Sequence, residues 1–187
     1  FRRVLFRSIN AAGALLQYLL DTQKNSLSHI KKLRKVSGKE YMAIDPFTHR
    51  NLELTETMRA KERRGSLLWL LDKTKTAMGG RLLKRYIEQP LLNRKDITKR
   101  LDAVGELKEG YALRSGLRQK LDGVYDIERL LAQISYGSLD ARDLISLKSS
   151  IEPLPDIKNM LLGCKSEELR SCGEQLNALA PLYVYLD

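Results

Sequence analysis

The residue types that usually carry catalysis or bind metals occur in this 187-residue chain, but their spacing fits neither task. His29 and His49 each lack a second histidine or a carboxylate at the spacing that metal ligands need. Cys164 and Cys172 stand eight residues apart, which matches no common zinc pattern. No serine lies in a Gly-x-Ser-x-Gly elbow. The sequence therefore predicts no catalytic residue, no metal ligand and no cofactor-binding residue in this chain.

Two adjacent glycines, Gly79 and Gly80, suggest either a phosphate-binding loop or a site of close packing. A Walker-type loop needs a lysine followed by serine or threonine at the start of a helix, and the sequence AMGGRLL has no such pair. The glycines also fall in the first turn of a predicted helix, where each costs on the order of 1 kcal/mol relative to alanine. Packing is therefore the favoured interpretation, in which the glycines admit a neighbouring backbone.

Basic residues form a second candidate site, because the formal net charge is +10 at pH 7. Clusters lie in HIKKLRK and RAKERR, and nucleic-acid phosphates attract such clusters without sequence preference. Only 6% of the residues are aromatic, which weighs against a surface for stacking bases. A solvated helix face explains most of these charges, and direct phosphate contact is the alternative. The candidate phosphate contacts are Lys31, Lys32, Arg34, Arg63 and Arg64.

The cysteine content and the apolar runs bear on the compartment. Two cysteines form no disulfide framework, which favours a reducing, cytoplasmic environment. No run of about 18 apolar residues is present, so no segment is predicted to span a membrane.

Residues 1–8, FRRVLFRS, look foreign to the rest of the chain. The same octapeptide results from translating a sequence that resembles the end of a short-read sequencing adaptor, so these residues are interpreted as non-native. The natural chain is then expected to begin earlier, which makes this polypeptide a fragment.

The spacing of apolar residues predicts a mainly α-helical, multi-helix domain with a small β-hairpin near its N-terminal side. Leu15, Leu16, Leu19 and Leu20 lie on one face of a helix that begins at residue 9 and ends between residues 21 and 24. Segments 30–36 and 41–44 flank the turn-forming sequence SGKE and are predicted to pair as the hairpin.

Capping residues and prolines mark where the next helices begin and end. Asp45 precedes a proline, which is typical of the N-cap of a helix, and residues 52–54 are expected to be extended. The sequence SLLWLLD predicts a short buried helix that carries Trp69. Thr76 is the expected N-cap of the following helix, and Pro90 ends that helix because the residue before a proline avoids helical dihedrals. The apolar face of this helix is predicted to hold Met78, Leu82, Leu83, Tyr86 and Ile87.

The second half of the chain is predicted to form one helix after another. Asn93 is the expected cap of a helix whose apolar face holds Ile97, Leu101, Val104 and Leu107. Another helix carries Leu113, Leu117 and Leu121, and later helices are expected to begin at Asp126, at Ser138 or Asp140, after Pro155 and at Ser166. The last start has only half of a capping box, since a leucine stands where the glutamate should be.

Several of these segments together resemble the MutS family of DNA mismatch repair ATPases, in its helical core or lever domain. DPFTHRNLEL is similar to the family pattern Asp-x-x-Thr-x-Arg-Asn-Leu-Glu, and GSLLWLLDKTKTAMGGRLLKRYIEQPL resembles the family's next block. The match covers residues 9–187 and departs at Ala77, where the family usually has proline. The signature residues that follow from this resemblance, all expected to be structural, are Asp45, Thr48, Arg50, Asn51, Glu53, Thr76, Gly79, Arg81, Pro90, Asp126, Arg129, Arg142 and Asp143.

The resemblance implies a non-catalytic structural and allosteric lever, which couples binding of mismatched DNA to an ATPase domain. Residues 9–25 would form the helix that leads from the connector domain. Residues 26–187 would form the first part of the core domain, ending about where the clamp domain is inserted. The alternative is a free-standing basic helical module that binds nucleic acid by itself.

The same resemblance places the sites for ATP and Mg²⁺ in a C-terminal domain outside this chain. The parent protein is expected to be a cytoplasmic homodimer that binds mismatched double-stranded DNA and MutL. Its connector, clamp and ATPase domains would be the neighbours of this segment, with no membrane involved.

Overall fold

The computed structural model describes residues 2–22 and 41–186. The chain divides into two compact units, residues 1–37 and residues 38–187. The described residues form α-helices and no β-strand, which confirms the mainly α-helical prediction. The helices are α1 Arg2–Thr22, α2 Pro46–Asn51, α3 Leu67–Leu71, α4 Ala77–Glu88, α5 Arg94–Glu109, α6 Tyr111–Asp122, α7 Ile127–Tyr136, α8 Ala141–Ile151, α9 Leu154–Leu162, α10 Glu167–Gln175 and α11 Ala180–Tyr185. Within the described ranges, no helix has both the length and the apolar character needed to cross a bilayer.

The first unit contains α1, whose existence the apolar spacing predicts correctly. The helix begins at Arg2, before the expected start, and ends at Thr22, within the expected range. The Thr22 hydroxyl donates to the carbonyl of Tyr18 at 2.7 Å. Leu15 and Leu20, on the predicted apolar face, are more than half exposed.

The second unit opens with α2, and its start confirms the cap expected at Asp45. The Asp45 carboxylate accepts from the amides of Phe47 and Thr48 at 2.9 and 3.0 Å, and from the Thr48 hydroxyl at 2.5 Å. These bonds satisfy amides that the first turn of a helix cannot pair internally. The hydroxyl bond of Thr48 is the largest cause of the lowered pKa of Asp45.

The extended conformation predicted for residues 52–54 is wrong. Leu52 remains in the helical region, and Glu53 has a left-handed φ of 49°. The carbonyls of Glu53 and Leu54 then accept from the amides of Leu67 and Leu68 at 3.0 and 2.9 Å. The segment is therefore a tight turn that places the end of α2 against the start of α3.

The predicted β-hairpin is not supported. Its first arm, residues 30–36, lies outside the described residues, and its second arm, residues 41–44, forms no strand. Tyr41 makes one isolated antiparallel bridge with Leu91, and the Met42 amide donates to the carbonyl of Pro90 at 2.8 Å. The second arm thus pairs with the chain that leaves α4, a partner that local sequence cannot indicate.

Helix α3 is short, as predicted, but it is not buried. Ser66 caps it by accepting from the Trp69 amide at 3.2 Å. Only Leu68 is buried, while Trp69 is 47% exposed and Leu70 is 62% exposed. A single turn that is apolar on all sides can turn only one side toward its neighbours.

Helix α4 begins at the predicted cap, where the Thr76 hydroxyl accepts from the Gly79 amide at 3.1 Å, and it ends just before Pro90. Its predicted apolar face is only partly correct. Leu83 is half-buried, but Leu82 and Tyr86 are 43% and 39% exposed. No residue of α4 is fully buried, so this helix rests on the rest of the unit without entering an apolar core.

Four helices of the second unit form a closed ring. Helix α5 packs against α6, α6 against α9, α9 against α10, and α10 against α5. Each of the four helices carries a buried residue, and these include Ala103, Leu117, Ile157 and Gly173. This ring of α5, α6, α9 and α10 is called the bundle below.

The apolar face predicted for α5 is only partly correct, since Leu107 is partly buried. Leu101 and Val104 are 63% and 61% exposed, whereas Ala103 is 7% exposed. Helix α5 turns a small residue toward its neighbours, because a short side chain lets the helices approach closely. The prediction of α6 is correct, since Leu117 is buried and Leu113 and Leu121 are partly buried.

A second apolar core lies where α7, α8 and the start of α9 meet α11. Its buried residues are Leu130, Leu147, Ile151 and Leu154. The starts of α7 and α8 agree with prediction at Asp126 and at Asp140, and the alternative start at Ser138 is excluded. At the start of α8, Asp140 and Asp143 form a reciprocal capping box. Around this core pack the partly buried residues Ile127, Leu176, Leu179, Leu182, Tyr183 and Leu186.

Candidate functional site

Signature residues far apart in sequence meet where α4 faces α7. The Arg81 guanidinium donates through both Nη atoms to the two oxygens of Asp126, each at 2.7 Å. The same guanidinium reaches Glu128, with Nε and Nη2 at 3.1 and 2.6 Å from its Oε2. Arg81 and Asp126 are 45 residues apart in the chain. Arg81, Asp126 and Glu128 are together called the Arg81 clamp.

The Arg81 clamp is a charged contact that also fixes the start of α7. Asp126 is the N-cap of α7 and accepts from the Arg129 amide at 3.3 Å. Its hydrogen bonds with Arg81 hold the pKa of Asp126 below the ordinary value, and the two carboxylates, Asp126 foremost, raise the pKa of Arg81. Planar two-pronged pairing of this kind fixes orientation as well as distance.

Two further contacts tie the segment before α4 to α6. The Lys75 ammonium lies 2.7 Å from Asp122, and it is the largest cause of the lowered pKa of that carboxyl. Arg118 donates to the carbonyl of Lys73 at 2.9 Å. The side chains in these two contacts are all charged, so the contacts between α6 and the segment before α4 are polar.

The sequence between α3 and α4 is ordered by Asp72. One oxygen of Asp72 accepts from the amide and the hydroxyl of Thr74 at 3.0 and 2.6 Å, and the other pairs with Arg63. The Thr74 bonds and then Arg63 lower the pKa of Asp72. Arg63, a candidate phosphate contact, is therefore already paired with a carboxylate.

The other candidate phosphate contacts are Arg64 and three residues of the segment before Tyr41. Arg64 is exposed at the end of the polar connector, next to Gly65 with its left-handed φ of 98°. Lys31, Lys32 and Arg34 lie outside the described residues. Phosphate contact by these residues stays a prediction.

The sequence predicts that Gly79 and Gly80 pack against a neighbouring backbone, but they pack against side chains. A Cβ on Gly79 would lie 3.0 Å from the Thr76 hydroxyl that caps α4, and one on Gly80 would lie 3.4 Å from the Thr74 hydroxyl. The glycines thus leave room for the hydroxyls that order the start of the helix. The close approach of two backbones occurs instead at Gly173, where a Cβ would lie 3.1 Å from the backbone nitrogen of Leu162.

Three further signature residues form local hydrogen bonds. Thr48 completes the Asp45 cap, and Glu53 accepts from the Met58 amide at 2.7 Å. Asp143 closes the capping box of α8 and also accepts from Gln133 at 3.2 Å. Arg50, Asn51 and Arg142 are exposed on α2 and α8.

A second charged junction joins α5 to α10, and the sequence reasoning missed it. The Glu106 carboxylate accepts from the amides of Lys165 and Ser166, both at 2.7 Å, and these bonds lower its pKa. Nearby, Lys99 lies 2.8 Å from Glu167. The sequence signal for it was the incomplete capping box, because Leu169 stands at the position of the glutamate that would accept from the Ser166 amide. Glu106 supplies that acceptor from 60 residues away.

Replacement of Glu106 by alanine is expected to loosen the start of α10. The amides of Lys165 and Ser166 lose their acceptor, so their hydrogen exchange should become several-fold faster and the urea midpoint should fall. Glu109→Ala, on an exposed position of the same helix, is the control and should leave both unchanged. Equal exchange in the two variants would contradict the role assigned to Glu106.

Within the described ranges, no group of three or more His, Cys, Asp and Glu residues is arranged to hold a metal ion. Both cysteines are free thiols, with Cys164 buried and Cys172 exposed. Desolvation by neighbouring groups raises the pKa of each thiol, which lowers its reactivity. The absence of catalytic, metal-binding and cofactor-binding residues in this chain stays a prediction.

The described residues define an all-helical domain whose signature residues lie at helix ends and helix junctions. Residues 47–182 match the family model of MutS domain III. This chain therefore belongs to the MutS domain III family.

Similar proteins carry the name DNA mismatch repair protein MutS. The one from Ruminiclostridium cellulolyticum is 55% identical over 172 residues, which is 92% of this chain and 20% of the relative. The one from Acetivibrio thermocellus is 52% identical over 179 residues, 96% of this chain and 21% of the relative. The one from Lachnoclostridium phytofermentans is 49% identical over 96% of this chain and 19% of its own length. The chain thus spans about a fifth of the length of these relatives.

Proposed function

We propose that this chain is a non-catalytic lever segment of a MutS-type mismatch repair protein, which couples binding of mismatched DNA to ATP hydrolysis elsewhere in that protein. The observation that carries the proposal is the Arg81 clamp, in which signature residues 45 positions apart join two helices. The family match over residues 47–182 supports it.

A lever must keep its shape while its ends move. The bundle is a closed ring, so a displacement of one helix must move its neighbours. The packed helices of the bundle have few arrangements available, and such an element can carry a coupling free energy between distant sites. The closed ring of helices supports the proposed function.

In this proposal, the chemistry takes place outside the chain. ATP and Mg²⁺ bind in an ATPase domain, and a clamp domain grips mismatched double-stranded DNA. The parent protein is a cytoplasmic homodimer that binds MutL. The connector, clamp and ATPase domains are the mechanical neighbours of this segment.

The formal net charge of +10 favours a second candidate, a basic module that binds nucleic acid by itself. In the described part of the chain, however, many basic side chains already pair with carboxylates, such as Arg63, Lys75, Arg81, Lys99 and Lys120. Those charges are less available to phosphates. A filter-binding titration with DNA duplex separates the two candidates.

For that titration, the lever predicts weak binding of the chain that disappears as salt rises, with no preference for a mismatch. The module predicts submicromolar affinity at near-physiological ionic strength with a steep salt dependence. ATP turnover by the pure chain would overturn the lever proposal outright.

Coupling itself is tested in a chimera. The matching segment of the full-length Ruminiclostridium cellulolyticum MutS is replaced by that of this chain, and ATP hydrolysis is measured with paired and with mismatched duplex. We expect the response to the mismatch to be retained. The control chimera carries the segment from the Acetivibrio thermocellus relative. Loss of the response in our chimera alone, with DNA and ATP still bound, would contradict the proposal.

A further inference from the structure

Helices α2 to α4, with their connecting turns, form a block that is held together internally. The turn after α2 bonds to the start of α3, where the Leu67 and Leu68 amides donate to the carbonyls of Glu53 and Leu54. Helix α3 packs against α4, and Asp72 orders the turn between them. Residues 45–88 are called the α2–α4 block.

The hydrogen bonds and ion pairs that join the α2–α4 block to the rest of the second unit are made by polar side chains. No residue of α4 is fully buried, and close backbone contacts between α4 and the bundle or α7 are sparse. The joining contacts are the Arg81 clamp, the Lys75–Asp122 pair and the bond from Arg118 to Lys73. Arg100 also stacks over the ring of Tyr86 at 3.7 Å. This junction differs from the two apolar cores, which are held by buried side chains.

Exposed charge pairs respond to conditions that leave apolar cores intact. They lie partly in water, and Arg81 itself is 48% exposed. Dissolved ions screen such pairs, whereas the burial of leucine and isoleucine side chains is not weakened by simple salt. The junction can therefore open while both cores stay closed.

We propose that the Arg81 clamp is a releasable latch, and that the α2–α4 block can leave α7 as a unit while the bundle stays folded. Arg81 is then a positioning residue. Its planar guanidinium holds two carboxylates of α7 at once, so release of one side chain frees the whole contact. In the proposed lever, motion passes through this latch between the α2–α4 block and the rest of the second unit. This role in the lever rests on the proposed function, whereas the existence of the latch does not.

Hydrogen exchange of the full chain tests the latch. In Arg81→Ala, amides of α4 are expected to exchange about tenfold faster, while amides of α9 and α10 stay within about twofold. The matched control is Lys84→Ala, because Lys84 lies on the same helix and pairs with Glu88 of that helix, at 3.7 Å. Equally faster exchange in all helices would show general destabilisation and would overturn the latch. An unchanged exchange rate in α4 would also overturn it.

A second variant separates the latch from the cap of α7. Asp126→Asn keeps a side-chain oxygen for the cap, since asparagine caps helices about as well as aspartate, but removes the charge. We expect α4 to exchange faster and the first turn of α7 to remain protected. Loss of protection in α7 with α4 unchanged would mean that Asp126 is only a cap, and the latch would fail.

Salt provides a test that needs no substitution. Raising NaCl from about 0.1 M to about 1 M shortens the Debye length from about 10 Å to about 3 Å. Exchange of α4 should accelerate clearly in the unmodified chain and much less in Arg81→Ala, where the Lys75–Asp122 pair is the remaining ion pair named above that salt can screen. An identical salt response in both proteins would overturn the latch.

The chimera then distinguishes the latch from the lever. With Arg81→Ala in the transplanted segment, the stimulation of ATP hydrolysis by a mismatch should fall, while duplex affinity stays within about threefold. An unchanged stimulation, together with the exchange results expected above, would leave the latch in place and refute its use as the joint of the lever.

Discussion

Replacement of Ile151 by alanine is expected to lower the free energy of unfolding by about 2–5 kcal/mol. Ile151 is 1% exposed and lies in the core of Leu130, Leu147 and Leu154. The substitution removes three buried carbon atoms and leaves a cavity that the surrounding helices can fill only in part. Urea unfolding followed by circular dichroism measures the change.

The matched control for this substitution lies on the same helix. Ile145 is 65% exposed, so Ile145→Ala should change the free energy of unfolding by no more than about 0.5 kcal/mol. Both variants replace isoleucine by alanine in α8, so their difference reports mainly burial. Similar costs for both would mean that α8 is rotated relative to its neighbours.

Replacement of Gly173 by valine is expected to have the next largest effect, a loss of about 1–3 kcal/mol. A Cβ at this position would lie 3.0 Å from the Cβ of Leu161 and 3.1 Å from the nitrogen of Leu162. These atoms belong to α9, so α9 and α10 must move apart to admit the side chain. The same unfolding measurement applies, with a lower midpoint as the expected result.

Gly105→Val is the control for this second substitution. Gly105 lies in the middle of α5, and a Cβ there would meet nothing within 4 Å. Valine in place of glycine should be neutral or stabilising by a few tenths of a kcal/mol, because its helix propensity is better. A loss as large as that at Gly173 would falsify the assignment of the cost to the α9–α10 contact.

Helix starts are the part of this fold that the sequence predicts best. Asp45, Thr76 and Asn93 each cap the helix expected of them, as do Asp126 and Ser166. A cap is a bond between residues two or three positions apart, so the information it needs is local. Pro90 likewise acts on its immediate neighbour.

Helix faces are predicted less well, as α5 shows. The stripe of Ile97, Leu101 and Val104 is regular, yet two of its members are more than 60% exposed and the neighbouring Ala103 is buried. Periodicity identifies an apolar face but does not identify its partner. Helix α3 fails in the same way, since every side of it is apolar and only Leu68 is buried.

The junctions could not be predicted from the residues alone. The family resemblance singles out Arg81 and Asp126. The two residues are 45 positions apart, and no local sequence pattern indicates that their side chains are in contact. Glu106 carries no local signal at all, and only the vacant position at Leu169 hints that an outside acceptor is needed. Contacts of this kind depend on how distant helices pack together.

The dependence of α10 on Glu106 has a consequence for the order of folding. A helix of nine residues is too short to be stable in isolation, and its first turn here needs a carboxylate that stands 60 residues earlier. On the ribosome, α5 and α6 therefore emerge with one side still open to water, and the ring closes only after residues 167–175 have left the exit tunnel. Chain termination between α9 and α10 should accordingly give an aggregation-prone product and not a shorter folded domain.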